Sequence, residues 1–286
     1  MRLRLAAPLA VALLVLVGCS SGPPPIEDPR EIVSQGVQTL QKATTVHLRV
    51  DLAGSVPLDL GGAGSPAEPI PLDGTTIEGD MDIPGQKLDL TFAVPPLLGL
   101  TGNVLMIDKA AFLRIPLLGP KWIKQPASGS GASAIGAVSD PQQALADIRQ
   151  ALQDPKLDLQ KLADDKCGSK DCYRVRMTLP TDELAGEVSA ALGPAVPLGS
   201  AAPLPSGSAA ATLDVWVEKD TLRIAKVAIE AALGTAATLK ATLILSKWGE
   251  PVTIEAPPPG EVDETGGGLL PGLMPSFGLP SPQPSP

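Results

Sequence analysis

The chain has 286 residues, with 22 basic against 31 acidic, one histidine and a formal net charge of −9. It has no cluster of Lys and Arg able to neutralise a run of phosphates, which argues against a nucleic-acid partner. Only three Trp, one Tyr and three Phe occur, so the interior must be built from Leu, Val, Ile and Ala, and a sugar site of stacked rings is disfavoured.

Arg2 and Arg4 precede an unbroken apolar run from Leu5 to Val17, followed by Gly18 and Cys19. This is the charge and apolar pattern of an export signal. Thirteen helical residues would rise only about 20 Å, short of a hydrocarbon core of roughly 30 Å, so the run is read as removed rather than as a permanent span. Leu16-Val17-Gly18-Cys19 resembles the lipobox of bacterial lipoprotein signal peptides, which implies a diacylglycerol on the Cys19 sulfur and an address on the extracytoplasmic face of the cell membrane. Residues 1–18 are then the signal peptide and 19–26 a small, Pro-rich lipidated tether. Removal of Arg2 and Arg4 takes the net charge from −9 to −11. Anionic headgroups attract such a protein little, so the lipid must hold it.

In chain order, Asp28-Pro29 reads as an N-cap and first helical position, and Ile32, Val33, Gly36, Val37 and Leu40 share one helical face ending near Lys42. Val46, Leu48, Val50 and Leu52 then alternate with His47, Arg49 and Asp51, the period of a half-buried strand. His47 points outward and reads as a solvated residue. Ala53 to Asp73 is Gly- and Pro-rich and reads as a long excursion. Ile77, Met81 and Ile83, a Pro84-Gly85 turn, and Leu88, Leu90, Phe92 and Val94 form an antiparallel hairpin. A second pair, Val104 to Asp108 and Ala111 to Ile115, leads to a short strand at Trp122.

Asp140-Pro141 repeats the cap signature ahead of an apolar stripe of Ala144, Leu145, Ile148 and Leu152. A short helical stretch is expected at Leu159 to Ala163, then a strand through Tyr173, Val175, Met177 and Leu179. Thr181 is expected to cap a third helix through Leu184, Val188 and Leu192. A Pro/Gly/Ala loop from Gly193 to Ser208 follows. Leu213, Val215 and Val217, Leu222 to Glu230, and Leu239, Ala241, Leu243 and Leu245 give three closing strands. Half of the positions from Pro257 to Pro286 are Pro or Gly, so 257–286 is expected to be a disordered tail. Its Leu269, Leu270, Leu273, Met274 and Phe277 are a candidate docking segment. The sum is an α+β chain with nine or ten mostly antiparallel strands in one folded domain, 27–256.

Two cysteines follow Cys19. Cys167 and Cys172 flank a polar turn with Gly168, and an exported compartment is oxidising, so a disulfide is expected, worth about 2 kcal/mol. Zinc would need further Cys or His ligands, and His47 is the only histidine. No Gly-x-Ser-x-Gly elbow, phosphate-cradling loop or Cys/His pairing occurs. Acidic pairs such as Asp164-Asp165 and Asp182-Glu183 fit solvated turns better than glycosidase chemistry. No enzyme, metal or cofactor is expected.

The lipobox, the helix opening Asp28-Pro29-Arg30-Glu31, the Asp140-Pro141 helix, the hairpin Leu213-Asp214-Val215-Trp216-Val217-Glu218 with Leu222-Arg223-Ile224, and the closing Trp248-Gly249-Glu250-Pro251-Val252-Thr253-Ile254-Glu255-Ala256-Pro257 resemble the LppX/LprAFG lipoproteins of the LolA/LolB-like superfamily. The resemblance implies a curved antiparallel half-barrel whose concave face, covered by two or three helices, holds acyl chains. It also implies a role in carrying or presenting lipids or glycolipids across the envelope, with an envelope transport protein as a candidate partner. Alternation together with this resemblance nominates Val50, Leu88, Leu90, Phe92, Val215, Leu243 and Leu245 as cavity lining. Three other readings stay open: the same strands packed as a filled core, a sensor or scaffold that binds a protein partner, and a solute-capturing receptor feeding a transporter, which the missing βαβ alternation disfavours.

Overall fold

The computed structural model describes residues 25–58, 68–108, 110–126, 141–180, 210–233 and 237–263. The first helix, α1 (Pro29–Gln41), starts where the capping chemistry places it. Asp28 accepts a hydrogen bond from the Arg30 N–H at 2.8 Å, Pro29 occupies the first turn, and Ile32, Val33, Gly36 and Val37 are buried. The second helix, α2 (Pro141–Ala151), buries Leu145 and, just past its end, Leu152, whereas Ile148 is 46% exposed and leaves the expected stripe. Arg30 ties the two helices together. Its guanidinium donates to the carbonyls of Leu152 at 2.5 Å and Leu157 at 2.7 Å, satisfying acceptors that a helix end leaves orphaned.

The strands are β1 (Thr45–Leu58), β2 (Glu68–Pro71), β3 (Thr75–Asp82), β4 (Lys87–Val94), β5 (Leu100–Ile107), β6 (Ala110–Arg114), β7 (Trp122–Pro126), β8 (Asp158–Lys161), β9 (Asp165–Cys167), β10 (Lys170–Pro180), β11 (Ala210–Glu218), β12 (Ile224–Leu233), β13 (Ala237–Ser246) and β14 (Val262–Asp263). They form one open sheet in the order β14-β7-β6-β5-β4-β3-β1-β13-β12-β11-β10-β8, with β2 on β1 and β9 on β10. Every pairing is antiparallel except β14 on β7. The chain is therefore sheet-dominated, with two helices among the described residues.

Four expectations change. The stretch from Leu159 is a strand, because β8 pairs Leu159 with Met177 and Lys161 with Val175 along the edge of β10. The start of the 53–73 excursion is the far end of β1, folded onto β2 through Val56↔Ile70. The fold runs past Ala256: a 3-10 turn at Pro259–Glu261 leads into β14. His47 is held rather than solvated: Nδ1 lies 2.8 Å from Asp80 and Nε2 3.2 Å from Glu78. The signal peptide, Cys19, the third helix at Thr181, the 193–208 loop and the Leu269 to Phe277 segment lie outside the described residues.

Both helices pack on one sheet face. Their Ile32, Val33, Val37, Leu145 and Leu152 join Val46, Tyr173, Val175, Met177, Val215, Val217, Ile224 and Leu245 in the main core. The approach is close, since a Cβ on Gly36 would stand 2.8 Å from Ile224 Cγ1. On the opposite face, the segment after β13 crosses β5 to β7, seating Ile254 against Leu105, Ile107, Phe112 and Trp122. The most distinctive stretch of the closing motif, Trp248 to Pro257, is thus the strap that covers this second core.

Candidate functional site: one apolar sheet face

Directly opposed residues in an antiparallel sheet point to the same side, so the register assigns faces. Phe92 pairs with Ile77, Ile77 with Val50, Val50 with Leu243, Leu243 with Val227, and Val227 with Val215. One row nearer the helices, Leu90, Gly79, Leu48 and Leu245 are opposed in turn, and Leu88 reaches Val46 through Met81. All seven nominated side chains, Val50, Leu88, Leu90, Phe92, Val215, Leu243 and Leu245, therefore occupy one face, the one on which the helices pack.

Their surroundings divide them. Leu88, Val215 and Leu245 are 4%, 4% and 9% exposed, sealed in core clusters. Leu90 and Leu243 are half-buried at the margins of those clusters. Val50 and Phe92, with Leu52, Ile77, Leu113 and Ile229 on the same face, are half-buried and belong to no core cluster among the described residues. The sequence did not nominate the last four. Their alternation was visible, but only the register aligns them with Val50. Two glycines shape this region. A Cβ on Gly102 would lie 2.4 Å from Phe92 Cζ, so the ring rests on the bare glycine opposite it. A Cβ on Gly79 would strike the Asp89 carbonyl. At the edge of the patch Thr75, 4% exposed, has a hydroxyl with no hydrogen-bond partner among the described residues.

The reverse face is polar where the strap does not cover it. Arg49 bonds Asp51 at 2.9 Å and Glu78 at 3.0 Å beside the His47 site. Asp214, 8% exposed at its side chain, accepts from Arg176 at 2.7 Å and Arg174 at 2.5 Å. Its carboxyl is held below the usual carboxylate range, chiefly by the Arg176 hydrogen bond and further by Arg174, against the opposing effect of burial. Trp216 beside it donates Nε1–H to Asp165 at 3.0 Å and lies under Lys226 at 4.1 Å. Cys167 and Cys172 are bridged with Cα atoms 6.0 Å apart, and Gly168 takes φ +63° in the turn between them.

No known family model matches this sequence, and no curated protein does. Solved structures do match. Lipoprotein LppX of Mycobacterium tuberculosis aligns at TM-score 0.50 and 14% identity over 80% of this chain and 100% of LppX. LprF of Mycobacterium bovis aligns at TM-score 0.50 and 14% identity over 80% of this chain and 96% of LprF. A LolA superfamily protein of Nitrosomonas europaea aligns at TM-score 0.26 and 11% identity over 80% of this chain and 96% of its own. The chain therefore has the fold of the LppX and LprF lipoproteins, the fold that its sequence resemblance implied.

Proposed function

We propose that this chain is a non-enzymatic lipoprotein, anchored through Cys19 on the extracytoplasmic face of the cell membrane, that holds acyl chains of lipids or glycolipids against its apolar sheet face and carries or presents them across the envelope. The observation that carries this reading is the division of that face: Val50, Leu52, Ile77, Phe92, Leu113 and Ile229 are apolar, contiguous and half-buried, yet outside the cores that the helices close. Burying apolar surface is worth about 25 cal/mol per Å², and an acyl chain offers complementary surface without hydrogen-bonding demands. In this account the sheet curves into a half-barrel with the helices on its concave side. The register shift between β11 and β12, where Trp216 and Val217 pair with Lys226 and Ile224 and leave Ala225 of β12 over, supports curvature, since a bulge bends and twists its strand. Ligand headgroups remain outside the apolar face, in water.

Native mass spectrometry of the full chain purified from its own membrane tests the ligand. A co-purifying lipid is expected, whereas a stoichiometric protein with no lipid would favour the scaffold reading. Cys19→Ala tests the anchor and should release the chain into an unprocessed or soluble form. Unchanged membrane association after signal removal would contradict it.

A further inference from the structure

The turns joining β4 to β5 and β6 to β7 share a four-residue motif, Pro96-Leu97-Leu98-Gly99 and Pro116-Leu117-Leu118-Gly119. They lie side by side. In the order β7-β6-β5-β4 the two turns close the same end of neighbouring hairpins, their centres two strand spacings, about 10 Å, apart. Both tips are bare: Leu98 is 97% exposed, Leu117 72% and Leu118 37%. Leu98 also adopts φ +55°, a conformation that costs a leucine free energy and that Gly or Asn would accept. Among the described residues nothing buries that leucine, which is 97% exposed. Neither turn, Pro95–Leu100 or Ile115–Pro120, contains a charged residue.

We propose that these two tips dock the protein onto a lipid bilayer surface. Three features favour a bilayer over a protein partner. First, the turn backbones present few unpaired donors to an apolar medium. The N–H groups of Leu97, Gly99, Leu100, Leu118 and Gly119 are hydrogen-bonded inside their own turns and Pro95, Pro96, Pro116 and Pro120 have none, which leaves Leu98 and Leu117 as the two tip N–H groups without a backbone partner among the described residues. Second, the tips supply short aliphatic side chains only. Protein hot spots are instead built on aromatic and Arg anchors seated in pockets. Third, the tips stand at the end of the apolar face away from the junction of α1 with β1. Thr76↔Ala93 and Val94↔Leu100 bring Thr75 to this end, while α1 runs directly into the start of β1 at the other. The chain also enters from that other end, where the Ile26 N–H donates to the Tyr173 hydroxyl near the start of β10. A chain anchored upstream of Ile26 thus turns its leucine tips away from the anchor, toward a second lipid surface.

The proposal uses the anchor inferred above, and the test separates the two. Full-length protein purified from its membrane is placed in nanodiscs and mixed with fluorescent vesicles of three parts phosphatidylcholine to one part phosphatidylglycerol. Vesicle capture is then measured by co-sedimentation. Protein that fails to enter nanodiscs refutes the anchor, and it is then mixed directly with the vesicles, so docking is still scored. The wild type should capture vesicles, and Leu98→Asn and Leu117→Asn should each weaken capture about tenfold. The melting temperature of Leu98→Asn should hold or rise, because Asn tolerates positive φ, so lost capture would not reflect unfolding. Acyl-probe uptake should be unchanged, because the tips lie outside the apolar face. Equal capture by wild type and double variant, no capture by either, or nanodisc pairing without vesicles through a second copy of the chain would each overturn the proposal.

Discussion

The two halves of the apolar face have the same chemistry and different neighbours. Under α1, Val175, Val217 and Ile32 are 0% exposed and pack as a closed core. Four to six strands from Val175, Val50, Ile77 and Phe92 carry similar side chains in the same alternation and remain half-buried, outside any core cluster among the described residues. Hydrophobic alternation therefore specifies a face and its side, but not what fills the space above it. A helix fills one half here. On the proposed function the other half is the place of an apolar ligand, since close-packed interiors leave few voids larger than a water molecule.

That contrast is breakable by paired truncation. Ile32→Ala removes buried volume from the closed half and should cost about 3 kcal/mol, lowering the melting temperature by roughly 6 to 12 °C. Phe92→Ala should cost only about 1 kcal/mol, well under the roughly 3 to 5 kcal/mol of a truncated core phenylalanine, because its ring is half-exposed over Gly102. Thermal denaturation of both variants checks this, and equal large losses would mean that the face is packed throughout.

The polar reverse face should add a smaller term with a pH signature. Asp214 is depressed in the folded state by Arg176 and Arg174. Its contribution is therefore complete above the unfolded carboxylate pKa of about 3.9 and is lost as pH falls through the lower folded value. Asp214→Asn should destabilise the protein by about 1 to 2 kcal/mol at neutral pH, with the gap to wild type closing below about pH 3.9. Chemical denaturation across pH measures it, and a gap that persists in acid would assign the cost to packing instead of charge.

Much of this arrangement was legible in the sequence, for local reasons. The Asp28-Pro29 cap, the 3.6-residue stripe of α1 and the alternation in β3, β4, β10 and β13 are short-range signals. The parts that were not legible depend on partners distant in the chain. β8 has only four residues and reads as helix until Met177 and Val175 supply its pairing. The carboxylates on His47 come from β3, more than thirty residues away. β14 is two residues in a Pro/Gly-rich stretch and exists only because Trp122 and Ile123 lie alongside. The seven side chains nominated as lining share one face of the sheet, whereas Leu52, Ile77, Leu113 and Ile229 could be placed beside them only once register was known. The exposed leucines at 98 and 117 gave no periodic signal at all, being turn residues.

The central claim is that the middle of the face is space for a ligand. Uptake of a fluorescent acyl-chain probe by Leu243→Trp, compared with wild type at matched folded fraction, tests it most directly. Leu243 is half-buried opposite Val50 and Val227, so an added ring should occupy the ligand's place. Probe uptake should fall while the melting temperature holds or rises. A variant that is destabilised by the roughly 1 to 3 kcal/mol typical of overpacking, yet takes up the probe as wild type does, would show that this face is a filled core.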